Sequence, residues 1–133
     1  MKIAKFSAYT ILHRDKLDQF YRDGGTGNAT EGRAWVTISR FFHDGQKTGE
    51  RVPVLFADAA TTQGLIYFAF LTDVRVMGAN NEGPTLIAFE GLTPIEGEPP
   101  KSTLIKRNGN SPLKDSSIRP YSIVYTPDFI RNS

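Results

Sequence analysis

Two neighbouring stretches decide the fold of this chain. The first is Gly49-Glu50-Arg51-Val52-Pro53-Val54-Leu55-Phe56-Ala57-Asp58, and the second is Gly64-Leu65-Ile66-Tyr67-Phe68-Ala69-Phe70-Leu71-Thr72-Asp73-Val74-Arg75-Val76. Together they predict a turn, a strand, a short loop and a longer strand, because β-branched and aromatic residues dominate both. The second stretch is apolar on both faces through Leu71, whereas a strand with one solvated face would alternate. We therefore expect a small curled sheet or barrel, with one strand face inside and the other under a helix or a partner subunit.

The remaining segments add strands and little helix. Further strands are predicted at 3–12, 33–42, 84–90, 102–107 and 121–125. A short helix is predicted over 14–22, since Leu17, Phe20 and Tyr21 fall on one face, and a closing helical turn is expected at 127–130. Polar segments predict loops or turns at 23–32, 43–50, 91–100 and Asn108-Gly109.

These elements predict a mainly β, α+β fold with one or two short helices, built as a small barrel. The length of 133 residues favours a single domain over 1–133. The balance of 16 basic and 14 acidic side chains, net +2, is too close to neutral to imply nucleic acid by itself. The absence of cysteine excludes disulfides, thiolate metal sites and a cysteine nucleophile.

Targeting signals are not evident in the sequence. No long apolar run follows the first charged residues, so a signal peptide is not expected. The longest apolar run, Leu65 to Leu71, is far shorter than the roughly 20 residues that cross a bilayer. We expect a soluble cytoplasmic protein with no membrane partner, no cofactor and no metal site.

The segment from Gly49 to Asp58, followed by Gly64 to Ala69, resembles the core of PUA-like domains, especially the EVE and ASCH groups. In these families a Gly-Asp or Gly-Glu turn precedes a strand that ends in an exposed loop. The next strand carries a small residue, here Ala69. The resemblance covers roughly residues 33–90. It implies a pseudobarrel whose cleft binds nucleic acid, often a modified base, through aromatic stacking and polar contacts to the base edge.

Two departures from the family pattern concern its binding pocket. Gly45-Gln46-Lys47-Thr48-Gly49-Glu50-Arg51 is similar to the ASCH signature Gly-x-Lys-x-x-Glu-x-Arg, but its arginine directly follows the glutamate. Phe6-Ser7-Ala8-Tyr9 stands where many EVE domains carry a Lys-Ser-Glu-Pro type segment. The pocket of these families therefore does not carry over residue by residue.

Trp35 is the single tryptophan and lies between Arg33 and Arg40, after the glycine-rich loop. It suits a base-stacking role, and it also suits a core tryptophan with a satisfied indole N–H. The predicted ligand-binding set comprises Trp35, Arg33, Arg40, Asn28, Ser39 and Arg51. Predicted contacts to the nucleic-acid backbone are Lys47, Lys101, Lys106 and Arg107.

The basic residues admit a second interpretation. Arg33, Arg40, Lys47 and Arg51 lie within one short stretch, and the segment 101–119 carries five cations against Asp115. Either group could hold phosphates, and either could be an ordinary solvated face.

Two other classes of function stay open. A small hydrolase or nuclease would use His13 or His43 with Asp44, Asp58 or Asp73, although surface histidines and turn-capping aspartates explain the same residues. A non-enzymatic homodimer would associate through the apolar strand at 65–71.

Overall fold

The computed structural model of the chain describes residues 2–60, 64–113 and 121–131. The described strands are β1 (Lys2–Ile3), β2 (Phe6–Leu12), β3 (Gly27–Glu31), β4 (Glu50–Arg51), β5 (Pro53–Asp58), β6 (Leu65–Val76), β7 (Thr85–Pro94) and β8 (Tyr121–Tyr125). The described helices are α1 (Arg14–Arg22), α2 (Val36–Thr48) and α3 (Asp128–Arg131), with a 3₁₀ turn at Lys101–Thr103. The predicted mainly β, α+β class is confirmed.

Six strands form one sheet in the order β3-β7-β6-β5-β2-β8. All neighbours are antiparallel except β2 and β5, which run parallel because α1, β3 and α2 form the crossover between them. The short strands β1 and β4 form a separate parallel pair. Register shifts interrupt the pairing of β6 with both β5 and β7, and such bulges increase the local twist of a sheet.

Side chains link the two ends of this sheet across its interior. The hydroxyl of Thr10 on β2 donates to the carboxylate of Glu31 on β3 over 3.0 Å. The ring of Trp35 stacks on Tyr121 of β8 at 4.7 Å, while its main-chain N–H donates to Thr85 of β7 over 3.0 Å. The sheet is therefore strongly curled. Among the described residues no main-chain pairing joins β3 to β8, so the predicted barrel is not closed.

The curled sheet separates two apolar cores. The inner core is built around Trp35, Ile38 and Phe56 beneath α2. The outer core lies on the opposite face of the central strands and includes Leu55, Leu65, Phe68, Leu104 and Ile130. Both faces of β6 are thus covered at its start, as predicted from its two-sided apolar pattern. The cover comes from the chain itself, and a partner subunit is not required for it.

The largest correction concerns residues 33–50, predicted as a strand and a turn. They contain α2, whose buried residues Ile38, Phe42 and Gly45 recur at helical spacing. The prediction was wrong because Val36, Thr37 and Ile38 have β-branched side chains and a glycine lies inside the helix, all of which lower helix propensity. Packing of the apolar stripe against the curled sheet outweighs that propensity.

The polar loop predicted at 23–32 also contains structure, since Gly27–Glu31 forms β3. A side chain at Gly27 would meet the rings of Phe20 and Phe89 at 2.7–2.8 Å, so close packing requires the glycine there. The strand predicted at 102–107 is wrong: a 3₁₀ turn and the isolated bridges of Ile105 and Lys106 occupy it.

Candidate ligand-binding site

A basic cavity of about 320 Å³ opens where the two ends of the curled sheet approach each other. Arg33, which follows β3, contributes one wall, and β8 contributes another. The segment after Ile105 forms the third wall, held by main-chain bonds from Arg107 N–H to the Ile123 carbonyl (2.9 Å) and from Lys106 N–H to the Ser111 carbonyl (2.8 Å). Its lining residues are Arg33, Lys106, Arg107, Asn108, Tyr121, Ser122 and Ile123.

The three cations of the basic cavity have no carboxylate within 4.0 Å in the described part of the chain. Three other arginines are ion-paired: Arg14 pairs with Asp58, Arg51 reaches Glu90 at 2.8 Å, and Arg75 reaches Asp73 at 3.2 Å. Cations of one sign around a concave surface create a positive potential there. The cavity is therefore suited to a negatively charged group.

The aromatic ring that borders the basic cavity is Tyr121, which is half-buried. Behind it the fully buried Trp35 ring lies nearly parallel, with an angle of 16° between the planes. The prediction that Trp35 itself stacks on a ligand is thus corrected, because no part of its ring reaches the surface. Trp35 instead supports Tyr121, which was not among the predicted ligand contacts because it lies in a separate strand, far from Trp35 in the sequence.

The polar atoms of this aromatic pair are themselves buried. The indole N–H of Trp35 and the hydroxyl of Tyr121 have no hydrogen-bond partner in the described residues. Burial raises the pKa of Tyr121 to about 12; the nearby Ile38 N–H works against this rise without meeting the geometry of a hydrogen bond. Leaving such donors unpaired costs about 1–3 kcal/mol each, so this region is not built for stability alone.

Glu31 completes the polar set in the interior. It is 7% exposed, and burial raises the pKa of its carboxyl to about 7, although the hydrogen bond from Thr10 acts in the opposite direction. Thr10 pairs with Tyr121 in the register of β2 and β8. The Glu31 carboxyl, whose pKa lies near neutral pH, is therefore bonded to the strand neighbour of Tyr121, the residue that borders the basic cavity.

The structure brings together three of the predicted contacts, Arg33, Lys106 and Arg107, and separates the others. Lys101 is fully buried, so its predicted contact with a phosphate is wrong. The remaining predicted residues are not among those that line the basic cavity. Arg40 and Lys47 are exposed on α2, and Arg51 lies 4.1 Å from the centroid of the Phe70 ring. Asn28 borders shallow cavities beside β7, and Ser39 borders a different cavity. Lys114 and Arg119 fall outside the described residues.

A second cavity, the His43 cavity, has a volume of about 420 Å³ and includes Ser39, His43, Asp73 and Arg75 in its lining. Its residue types suit acid–base chemistry. The Nδ1 atom of His43 lies 2.7 Å from the carbonyl oxygen of Ser39, so it carries the proton and donates to its own helix. It is then unable to accept the proton of the Ser39 hydroxyl, 3.4 Å away.

The other candidate catalytic residues do not converge. Asp58 pairs with Arg14 at 3.3 Å and accepts the N–H of Ala60 at 3.0 Å, which is the turn-capping role. His13 is exposed at the start of α1, and Asp44 is exposed on α2. In the described part of the chain, no group of three or more histidine and carboxylate side chains is arranged to hold a metal ion.

Within the described ranges, none of the helices has both the length and the apolar character needed to cross a membrane. Compared with known protein families, curated proteins and solved structures, the chain matches none of them.

Proposed function

We propose that this chain is a PUA-like binding module that holds nucleic acid or a nucleotide-like ligand in the basic cavity. One observation carries the proposal: Arg33, Lys106, Arg107 and Tyr121 surround a single cavity, and its cations have no carboxylate partner among the described residues. Guanidinium groups pair with phosphate oxygens, and a tyrosine ring offers a stacking surface to a base.

The curled sheet supports the PUA-like part of the proposal. A pseudobarrel with a cleft needs a sheet that bends back on itself without full closure. The contacts of Glu31 with Thr10 and of Trp35 with Tyr121 span the gap between the two sheet ends, and the basic cavity opens at the same gap. The resemblance of residues 33–90 to the PUA-like core agrees with this arrangement.

In the proposed complex each lining residue has a distinct role. Arg33 and Arg107 donate N–H groups to phosphate oxygens, and Lys106 adds a third positive charge. Tyr121 contacts a base or a sugar with its ring, held in place by Trp35 behind it. Asn108 offers an amide that donates to and accepts from a base edge.

Replacing both cavity arginines tests the proposal. The double variant Arg33→Gln/Arg107→Gln should bind a fluorescein-labelled single-stranded oligonucleotide at least about 100-fold more weakly, because hydrogen bonds to charged groups are worth about 1.5–3 kcal/mol each. Anisotropy titration measures the affinity.

The matched control is Arg22→Gln/Arg131→Gln, which removes the same charge from exposed positions outside the basic cavity. It should bind within about threefold of the wild type. Equal weakening of both variants would show that net charge alone drives binding. Wild-type affinity in the cavity variant would show that the ligand binds elsewhere.

A further inference from the structure

A third cavity, the Phe6–Phe41 cavity, adjoins the basic cavity and has a volume of about 240 Å³. The rings of Phe6 and Phe41 stack at 5.6 Å with an angle of 20°, and both are half-buried. Its described lining residues are Ala4, Lys5, Phe6, Phe41, Asp44, Gly45, Thr48 and Glu50. Phe41 also packs against the inner core, and the two stacked rings give the cavity an apolar wall that stays partly accessible to solvent.

Arg107 joins this cavity to the basic cavity. Its guanidinium carbon lies 5.4 Å from the centroids of both Phe6 and Phe41, while the residue also lines the basic cavity. Lys5 approaches from the other direction, with its ammonium nitrogen 5.7 Å from the Phe6 centroid and 5.8 Å from that of Tyr125. Arg107 therefore lies between the two cavities, and cations alternate with aromatic rings around it.

The charges of the Phe6–Phe41 cavity differ from those of the basic cavity. Asp44 and Glu50 oppose a single lysine there, so a phosphate would be repelled. A flat, uncharged ring suits the apolar walls, and an amino group on that ring would donate to a carboxylate. Cytosine, adenine and guanine carry such an exocyclic amino group, whereas uracil presents a carbonyl oxygen in the equivalent place.

We propose that the Phe6–Phe41 cavity is a second base subsite for single-stranded nucleic acid, selective for bases with an exocyclic amino group. The strand passes from the basic cavity over Arg107, which holds the intervening phosphate. The next base then lies against Phe6 and Phe41, with Asp44 or Glu50 accepting from its amino group. This inference rests on the proposed function and extends its ligand from a single nucleotide to a strand.

The variant Phe41→Ala tests the subsite with cytidine 5′-monophosphate and hexacytidylate as probes, measured by calorimetry. Base–aromatic stacking is worth about 1–3 kcal/mol per base, so hexacytidylate affinity should fall by about 5- to 100-fold. Affinity for the mononucleotide, which occupies the basic cavity alone, should stay within about twofold. Phe129→Ala is the control, because Phe129 is an exposed ring that packs on Phe68, outside both cavities.

The variant Asp44→Asn tests base selectivity without removing an apolar side chain. The wild type should prefer hexacytidylate over hexauridylate, and the preference should shrink in Asp44→Asn while hexauridylate affinity stays constant or rises. Circular dichroism of each variant establishes that it is folded.

The outcomes separate the two proposals. Equal loss of mononucleotide and hexanucleotide affinity in Phe41→Ala would overturn the second subsite, and so would no loss of either, while binding at the basic cavity would stand. A wild-type protein that binds neither probe would overturn the proposed function itself.

Discussion

The basic cavity and the His43 cavity both border the start of α2, one through Arg33 and the other through Val36. They differ in whether their charged and polar side chains already have partners within the protein. In the His43 cavity, His43 donates to the carbonyl of Ser39, and Asp73 pairs with Arg75. In the basic cavity, the cations have no acidic partner within the described ranges. Charged side chains that have no acidic partner within the described residues, rather than residue types suited to catalysis, therefore mark the better candidate site.

The two cavities also differ in what lies beneath them. Behind the basic cavity lie the indole N–H of Trp35 and the hydroxyl of Tyr121, which have no hydrogen-bond partner among the residues described, and the buried carboxyl of Glu31. Such groups oppose folding, and natural sequences depart from stable packing mostly where function requires it. This cost is a second reason to prefer the basic cavity.

The largest effect is expected when the ring behind the basic cavity is removed. Trp35→Ala should lower the free energy of unfolding by about 3–5 kcal/mol, because a large, fully buried ring leaves a cavity in the inner core. Val36→Ala is the neighbouring control: Val36 is 42% exposed, and its loss should cost less than about 0.5 kcal/mol. Urea denaturation measures both. A Trp35→Ala protein within 1 kcal/mol of the wild type would contradict the supporting role.

The next largest effect concerns Glu31 and pH. Its pKa is about 7 in the folded protein against 4.5 for a solvated glutamate, so between these two pH values the folded state holds a proton that the unfolded state releases. The contribution of Glu31 to stability is complete below about pH 4.5, falls as the pH rises, and is lost above about pH 7. The shift corresponds to roughly 3 kcal/mol.

Glu31→Gln removes this titration and keeps an oxygen that accepts from Thr10. The stability of the variant relative to the wild type should therefore increase by about 3 kcal/mol between pH 4.5 and pH 8, measured by urea denaturation at each pH. Taking the difference between the two proteins cancels the titration of all other groups. A difference that stays constant with pH would show that the Glu31 carboxyl has the same pKa in the folded and unfolded states, and it would contradict the raised pKa.

The smallest effect is expected at the His43 cavity. His43→Ala should change oligonucleotide affinity by less than twofold and stability by less than about 0.5 kcal/mol, since the residue is exposed and bonds only within its helix among the described contacts. Hydrolysis of an activated phosphodiester by the wild type that disappears in His43→Ala would reverse the ranking of the two cavities and favour the hydrolase alternative.

The sequence predicted those parts of the fold in which local pattern and tertiary packing agree. Strands β5 and β6 and helix α1 are such parts, because their apolar spacing matches the faces that they bury. Helix α2 was missed because its β-branched start and internal glycine favour other structure, and its apolar stripe gains stability only against the curled sheet.

The candidate site was predictable in its charges and not in its geometry. Arg33, Lys106 and Arg107 were expected to contact a ligand, and they do line one cavity. Trp35 suited either a stacking or a core role, and Lys101 was expected to contact a phosphate. Both are buried, since nothing in residue type distinguishes a stacking tryptophan or an exposed lysine from a buried one. Tyr121 was missed because its importance arises from the approach of β8 to Arg33, far apart in the chain.

The salt dependence of oligonucleotide binding tests the central claim most directly. If the cations of the basic cavity hold phosphates, the logarithm of the association constant should fall linearly with the logarithm of salt concentration, by about 0.7 per phosphate contact. Three contacts predict a slope near −2, and Lys106→Gln should reduce its magnitude by about 0.7. A slope near zero, or an unchanged slope in Lys106→Gln, would contradict the assignment of the basic cavity as the nucleic-acid site.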